Sequence, residues 1–119
     1  MFDHIGLLVV DLKKSLRFYQ AALGPLGHVV GGNDDSYAGL GPKDAVALWL
    51  YKADKATRAH VAFRATSREA VDRFYHAGLE AGGKDNGKPG IRAGYSPNYY
   101  AAFLFDPDGN NVEAVYLGG

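Results

Sequence analysis

Three residues of this chain have the side chains and the positions that suit a divalent metal site. His4 and His60 each stand at the start of an apolar segment, and Glu113 lies within the last apolar segment. Imidazole nitrogen and carboxylate oxygen both bind divalent first-row metals, and three protein ligands leave positions open for substrate, water or O2. A carboxylate inside an apolar strand is costly unless it is paired or bound to metal. The set therefore predicts a metal centre on His4, His60 and Glu113, with Glu113 also the candidate catalytic group.

Each of these residues, taken alone, also has an ordinary structural explanation. A histidine at the start of a strand is most often a hydrogen-bonded structural residue, and a glutamate near the end of a strand is often solvated. The metal-site interpretation therefore depends on the set and on its place in an internal repeat.

The chain contains one structural unit twice. At a constant offset of 56 residues, the segments 4–27 and 60–83 share seven identical pairs: His4 with His60, Arg17 with Arg73, Phe18 with Phe74, Tyr19 with Tyr75, Ala21 with Ala77, Leu23 with Leu79 and Gly27 with Gly83. Each copy has the pattern of a strand, a helix and three strands. One such unit is too small to bury its sheet face alone. We therefore predict an α+β fold in a single domain, with βαβββ modules at 1–54 and 55–119. Together they form one curled mixed sheet around a cleft, with helices on the convex side.

The periodicity of apolar residues places the elements of both modules. Helices are predicted over 13–23, capped by Asp11, and from Thr66 or Ser67 to about residue 81. Strands are predicted at 3–10, 28–31, 36–40, 45–51, 59–65, 98–105 and 111–117. The glycines and prolines of 84–97 predict a long loop with at most a short strand, and 106–110 is a predicted hairpin turn.

Several residues are candidates for substrate contacts. Arg64 shares a strand face with His60 and can hold an anionic group or form a salt bridge. The long loop, a common place for substrate contacts, contains or adjoins Arg92, Tyr95, Tyr99 and Tyr100. The predicted substrate-binding residues are Arg64, Arg92, Tyr95 and Tyr100. In the strand at 45–51, Trp49 and Tyr51 point away from Leu48 and Leu50, so only one of these sets can line the cleft.

Composition excludes several classes of function. The formal net charge is zero and the pI is about 6.9, so the basic surface that nucleic acid binding needs is missing. The absence of cysteine excludes disulfides, thiolate metal sites and a cysteine nucleophile. No apolar stretch approaches the length of a membrane span, and the N-terminus has no signal-peptide pattern. We therefore expect a soluble cytoplasmic protein.

The two ends of the chain resemble the vicinal oxygen chelate superfamily, which includes lactoylglutathione lyase, bleomycin-resistance proteins, fosfomycin-resistance enzymes and extradiol dioxygenases. The resemblance rests on the opening segment from His4-Ile5-Gly6 to Leu23-Gly24 and on the closing segment from Phe105 to Glu113. It implies a paired βαβββ fold whose cup holds a divalent ion such as Fe, Mn, Zn or Ni. The ligand positions of the family correspond to His4, His60 and Glu113. Many relatives form dimers through their sheets, so a homodimer is expected.

At one position this chain lacks the residue that the best-known activity of that superfamily requires. Lactoylglutathione lyases have a fourth ligand, a glutamate, in the last strand of the first module, and Leu48 is predicted to occupy that position here. This departure argues against an ordinary lactoylglutathione lyase. The remaining His-His-Glu set is similar to that of extradiol dioxygenases and fosfomycin-modifying transferases.

The resemblance implies a metalloenzyme that binds a small oxygen-chelating substrate, as a lyase or isomerase, a dioxygenase or a thiol transferase. The alternative is a metal-free protein that binds and sequesters a small-molecule drug, as bleomycin-resistance proteins do. A third possibility is a scaffold whose metal ligands persist without activity. The bleomycin-sequestering members generally lack the ligand triad, so its presence favours the metalloenzyme.

Overall fold

A computed structural model describes residues 1–118 and confirms the two βαβββ modules. The first module comprises β1 (Ile5–Val9), α1 (Leu12–Leu23), a single 3₁₀ turn (Gly24–Leu26), β2 (Val29–Asn33), β3 (Tyr37–Gly41) and β4 (Leu48–Lys52). The second comprises β5 (His60–Arg64), α2 (Arg68–Glu80), β6 (Lys84–Ile91), β7 (Tyr100–Phe105) and β8 (Asn111–Tyr116).

Each module forms a four-stranded mixed sheet of the same topology. The strand orders are β1-β4-β3-β2 and β5-β8-β7-β6, and the first strand of each module pairs in parallel with the last. The strands β1 and β5 therefore each lie at one edge of a sheet, and within the part of the chain that the structure describes each pairs with a single strand.

The helices begin at the predicted caps and pack on one side of the sheets. The Asp11 carboxylate accepts the Lys14 N–H at 3.1 Å, and the Ser67 hydroxyl accepts the Ala70 N–H at 3.0 Å. The helices contact each other and the sheets of their own modules. Gly78 allows this close packing, because a Cβ there would lie 2.4 Å from a methyl group of Leu104.

Alternation along the strands divides each sheet into a helix-facing side and an open face. In the first sheet, Leu48 and Leu50 are buried on the helix side, and Trp49 and Tyr51 lie on the open face. This settles which of the two sets in β4 points away from the core. The open face of the second sheet carries His60, Ala62, Arg64, Phe103 and Glu113.

The prediction of a loop over 84–97 was wrong for its first half, where the eight-residue strand β6 forms. β6 pairs with β7 through two irregularities in register, which involve Asp85, Gly87 and Gly90. Gly87 has a φ of 151°, which a residue with a side chain rarely adopts. Glycine and proline are tolerated here because β6 is a bulged edge strand.

The predicted turn at 106–110 is confirmed, and two of its polar side chains, Asp106 and Asn110, are buried. The Asp106 carboxylate is 3% exposed and accepts the backbone N–H groups of Asp108 and Asn110 at 2.9 and 2.8 Å. It also accepts the Asn110 side-chain amide at 2.8 Å and the Tyr19 hydroxyl at 2.5 Å. The side-chain carbonyl of Asn110 in turn accepts the backbone N–H of Ala59 at 2.8 Å. We call this set the Asp106 network, and it ties the turn of the second module to α1 of the first.

Burial, followed by the neighbouring carboxylate of Asp106, raises the pKa of Tyr19 well above its usual value. The Tyr19 hydroxyl therefore keeps its proton and remains a hydrogen-bond donor. Among residues 1–118, neither helix is long and apolar enough to cross a membrane.

Candidate functional site

Glu113 lies in the middle of β8 on the open face of the second sheet. Its register neighbours are Ala62 in β5 and Phe103 in β7, and the residue is 1% exposed. The neighbouring edge strand supplies His60, whose Nε2 lies 2.8 Å from Glu113 Oε1. The predicted metal ligands His60 and Glu113 are therefore in direct contact.

The second carboxylate oxygen of Glu113 accepts the hydroxyl of Tyr99. Burial, then this hydrogen bond, then the charge of Glu113 raise the pKa of Tyr99 to about 12, so the hydroxyl stays protonated at neutral pH. Tyr95 packs edge-on against Tyr99, with ring centroids 4.9 Å apart. Both oxygens of the buried carboxylate thus have hydrogen-bonding partners, the imidazole of His60 and the hydroxyl of Tyr99.

Tyr99 was not among the residues we predicted to bind substrate, and parity identifies it only once the pairing of Phe103 with Glu113 shows which face of β7 is open. Along β7, Tyr100, Ala102 and Leu104 face the helices, so the residue before Tyr100 points toward the open face. Tyr100 itself donates its hydroxyl to Asp72 at 2.6 Å, and Arg68 lies over its ring. The side chain of Tyr100 therefore packs against α2, on the opposite side of the sheet from Glu113.

The remaining predicted substrate-binding residues lie on or beside the open face of the second sheet. Arg64 is exposed at the end of β5, on the same face as His60. Arg92 lies over the Phe103 ring and donates to the Gly90 and Lys88 carbonyls at 2.9 and 2.6 Å, so its guanidinium also holds β6 in place. Tyr95 is 68% exposed.

The third predicted metal ligand, His4, lies apart from the other two. It precedes β1, is exposed, and its Nδ1 lies 2.6 Å from a carboxylate oxygen of Asp3. Within residues 1–118, no three His, Asp or Glu side chains of one chain come together as a potential metal site. One chain therefore assembles two of the three predicted ligands.

The register of the first sheet corrects the position that we assigned to Leu48. Gly6, two residues after His4, pairs with Trp49, just as Ala62, two residues after His60, pairs with Glu113. The position of the first module that is equivalent to Glu113 is therefore Trp49. Leu48 is 3% exposed and packs in the core on the helix side.

An apolar cavity of about 570 Å³ lies between the modules and extends to His60. Its walls include Leu7, Leu48 and Phe63, and its other histidine is His28. Nδ1 of His28 is buried and has no hydrogen-bond partner within residues 1–118. Burial lowers the pKa of His28, so the imidazole that faces this apolar space is neutral. The cavity could hold the apolar part of a small molecule beside His60.

Comparisons with known proteins agree with this architecture. A model of the Glyoxalase/Bleomycin resistance protein/Dioxygenase superfamily matches residues 1–114. A glyoxalase/bleomycin resistance protein from Albidiferax ferrireducens T118 is 32% identical, with 98% of each chain covered and a TM-score of 0.82. A glyoxalase I mutant (E144Q) from Zea mays is 27% identical over 95% of this chain and 45% of its own, with a TM-score of 0.72.

A family enzyme from Burkholderia phytofirmans PsJN is 16% identical over 98% of each chain, with a TM-score of 0.75, which shows a shared fold alone. No match was found among curated proteins.

Proposed function

The chain belongs to the glyoxalase/bleomycin resistance protein/dioxygenase superfamily, and we propose that it is a metal-dependent enzyme acting on a small molecule with two neighbouring oxygen atoms. One observation carries the proposal. Glu113 is a buried carboxylate in contact with His60, whose side chain is about half exposed on the open face of the second sheet.

The chemistry of this pair fits a divalent ion. Among residues 1–118, the only ion-pair partner of Glu113 is His60, and no lysine or arginine is paired with it. A buried carboxylate without a permanent cation is costly, and a metal ion would offset that cost. Imidazole and carboxylate donors suit Fe, Mn, Zn or Ni, as the resemblance implies.

We propose that the third ligand reaches this pair in a homodimer. The edge strands β1 and β5 have free sides, and a free strand edge is a template for pairing with another chain. Pairing of β5 with β1 of a second copy would bring His4 of the partner subunit toward His60 and Glu113. In such a dimer the three predicted ligands would come from two chains.

The side chains around the site have distinct roles in this proposal. Glu113, the candidate catalytic residue, accepts a proton from the substrate, and Tyr99 holds one carboxylate oxygen through its hydrogen bond. His60 and Glu113, with His4, would hold the metal, which as a Lewis acid would polarise substrate oxygens. Arg64 binds an anionic group of the substrate on the same face, and Tyr95 and Arg92 border the ligand. A lyase or isomerase, a dioxygenase and a thiol transferase are all compatible with these roles.

The first test measures metal affinity together with the oligomeric state. Tag-free wild-type protein is titrated with Zn²⁺, Mn²⁺ and Ni²⁺ by calorimetry, and we expect one bound ion per chain and a dimer by sedimentation. His4→Ala should bind the preferred ion at least about tenfold more weakly, because one ligand is lost. His76→Ala, which removes an exposed histidine from α2, is the matched control. Equal affinity of the two variants would exclude His4 as a ligand.

A second prediction concerns the hydroxyl group of Tyr99. Outer-shell hydrogen bonds orient metal ligands, and their loss typically costs about 10–100-fold in metal affinity. We expect a loss of this size for Tyr99→Phe. Tyr95→Phe is the control, since it keeps the ring packing against Tyr99 and leaves the hydrogen bond to Glu113 in place. The same titration measures both variants, and parallel behaviour would show that Tyr99 has no orienting role.

The aromatic open face of the first sheet supports a second candidate function, metal-free binding of a drug-like molecule. Trp49 and Tyr51 lie there, beside the apolar cavity residue Gly6. Tight binding of a bulky aromatic drug by protein that takes up no metal would favour this candidate.

A further inference from the structure

The two modules carry opposite chemistry at equivalent positions of their open faces. The position that holds Glu113 in the second module holds Trp49 in the first. One register step further, Arg64 pairs with Val115, and its counterpart Leu8 pairs with Tyr51. At these two positions the second module therefore carries the charged side chains of Glu113 and Arg64, where the first carries the apolar side chains of Trp49 and Leu8.

The space for the indole comes from a reciprocal change in the neighbouring strand. Glu113 is paired with Phe103, whereas Trp49 is paired with Gly39. A Cβ on Gly39 would lie 2.6 Å from Cζ3 of Trp49, so the ring packs directly against the backbone of β3. The pair Trp49 and Gly39 of the first module thus occupies the place of the pair Glu113 and Phe103 of the second.

Two tyrosines extend this aromatic surface. The Tyr37 and Trp49 ring centroids are 5.9 Å apart, and the Tyr51 ring lies over Gly6, where a Cβ would be 3.0 Å from Cε2. Trp49 and Tyr37 are partly exposed and Tyr51 is 42% exposed. Fully buried aromatic side chains cover only about 150–250 Å² each. The free part of these three is well below the roughly 800 Å² per partner of a stable dimer interface, and it fits one planar ring.

The strand lattice places this surface close to a proposed metal ligand. His4 precedes Gly6 by two residues, a distance of about 7 Å along the strand, and Trp49 lies about 5 Å across from Gly6. In the second module the same relation brings His60 and Glu113 into contact. If His4 binds the metal, Trp49 therefore lies beside the metal site.

We propose that the indole of Trp49 is the surface on which a planar ring of the bound ligand stacks, and that it selects ligands whose paired oxygens are attached to such a ring. The second part rests on the proposed metal function. Stacking on an indole is favoured by the large flat apolar area and by the quadrupoles of the two rings.

Two hydroxamates isolate the contribution of the ring. Benzohydroxamate and acetohydroxamate carry the same pair of chelating oxygens and differ in a phenyl ring against a methyl group. Zn²⁺-loaded protein is titrated with each by calorimetry and by fluorescence, since Trp49 is the only tryptophan of the chain. We expect benzohydroxamate to bind more tightly and to quench the fluorescence of Trp49.

Two variants at one position separate stacking from packing. Trp49→Leu should weaken benzohydroxamate binding about three- to tenfold and change acetohydroxamate binding less than twofold. Trp49→Phe keeps a ring and should retain most of the difference. Equal weakening of both ligands by Trp49→Leu, or loss of the dimer in that variant, would overturn the proposal.

The metal-free protein distinguishes this proposal from the proposed function. If hydroxamate binding is the same with and without Zn²⁺ but benzohydroxamate still quenches Trp49, the metal function fails and the stacking surface stands. If both ligands need Zn²⁺ and neither affects Trp49, the metal function stands and the stacking surface is excluded.

Discussion

Replacing Glu113 with glutamine is expected to lower metal affinity by more than about 100-fold, a larger loss than that of an outer-shell partner. The substitution removes the only acidic metal ligand that we propose, while the size and shape of the side chain stay the same. The carboxamide oxygen can still accept the Tyr99 hydroxyl, and the amide can still face His60. The metal and not the fold should therefore respond, as calorimetric titration will measure.

The same substitution should leave the free energy of unfolding unchanged or raise it by up to about 1 kcal/mol, because a buried charge is removed. Urea denaturation measures this, with Glu69→Gln as the control, since Glu69 is an exposed carboxylate of α2 paired with Arg73. Opposite effects on metal affinity and stability are typical of a residue retained for function. A loss of several kcal/mol in Glu113→Gln with unchanged metal affinity would instead identify Glu113 as a structural residue.

Asp106→Ala is expected to lower the free energy of unfolding by about 3–5 kcal/mol, a large part of the total for a small domain. The Asp106 carboxylate accepts four hydrogen bonds, and its loss leaves the Tyr19 hydroxyl and the Asn110 side-chain amide buried without this acceptor. Each buried donor left without a partner costs about 1–3 kcal/mol. The effect should appear as a lower urea midpoint at unchanged slope.

Two neighbouring variants calibrate the Asp106 prediction. Tyr19→Phe removes one hydrogen bond of the network and should cost about 1–3 kcal/mol. Asp108→Ala removes a carboxylate of the same turn that, within residues 1–118, accepts one hydrogen bond, from the Ser15 hydroxyl at 3.4 Å. This variant should cost under about 1 kcal/mol. If Asp106→Ala is no more destabilising than Asp108→Ala, the turn does not depend on the network.

The repeat made much of the fold predictable. Both modules and both helices were predicted from local or periodic signals. These are the identities at one offset, the caps Asp11 and Ser67, and the alternation of apolar residues. The predicted metal-ligand set likewise included His60 and Glu113, and the structure places these two side chains in contact. β6 escaped prediction because its glycines and proline are ordinary loop residues, and only pairing with β7 makes them a strand.

Other features depend on partners that parity alone does not define. Parity separated Trp49 from Leu48, but only the register with β1 shows which of them is equivalent to Glu113. Tyr99 and Tyr100 differ by one position and by the face of the sheet, so the choice between them needed the exact start of β7. The distance of His4 from His60 in one chain follows from how the two modules pack, which local sequence does not encode.

The Asp106 network also bears on how the duplicated chain folds. Asp106, in a turn of the second module, accepts the hydroxyl of Tyr19 from the first module. The side chain of Asn110 in the same turn accepts the N–H of Ala59, just before β5. A half-chain ending before β5 would leave Tyr19 without its carboxylate, and a half-chain beginning at β5 would leave Asp106 without its phenol. The network therefore ties the two modules to each other, and we expect them to unfold in one cooperative transition.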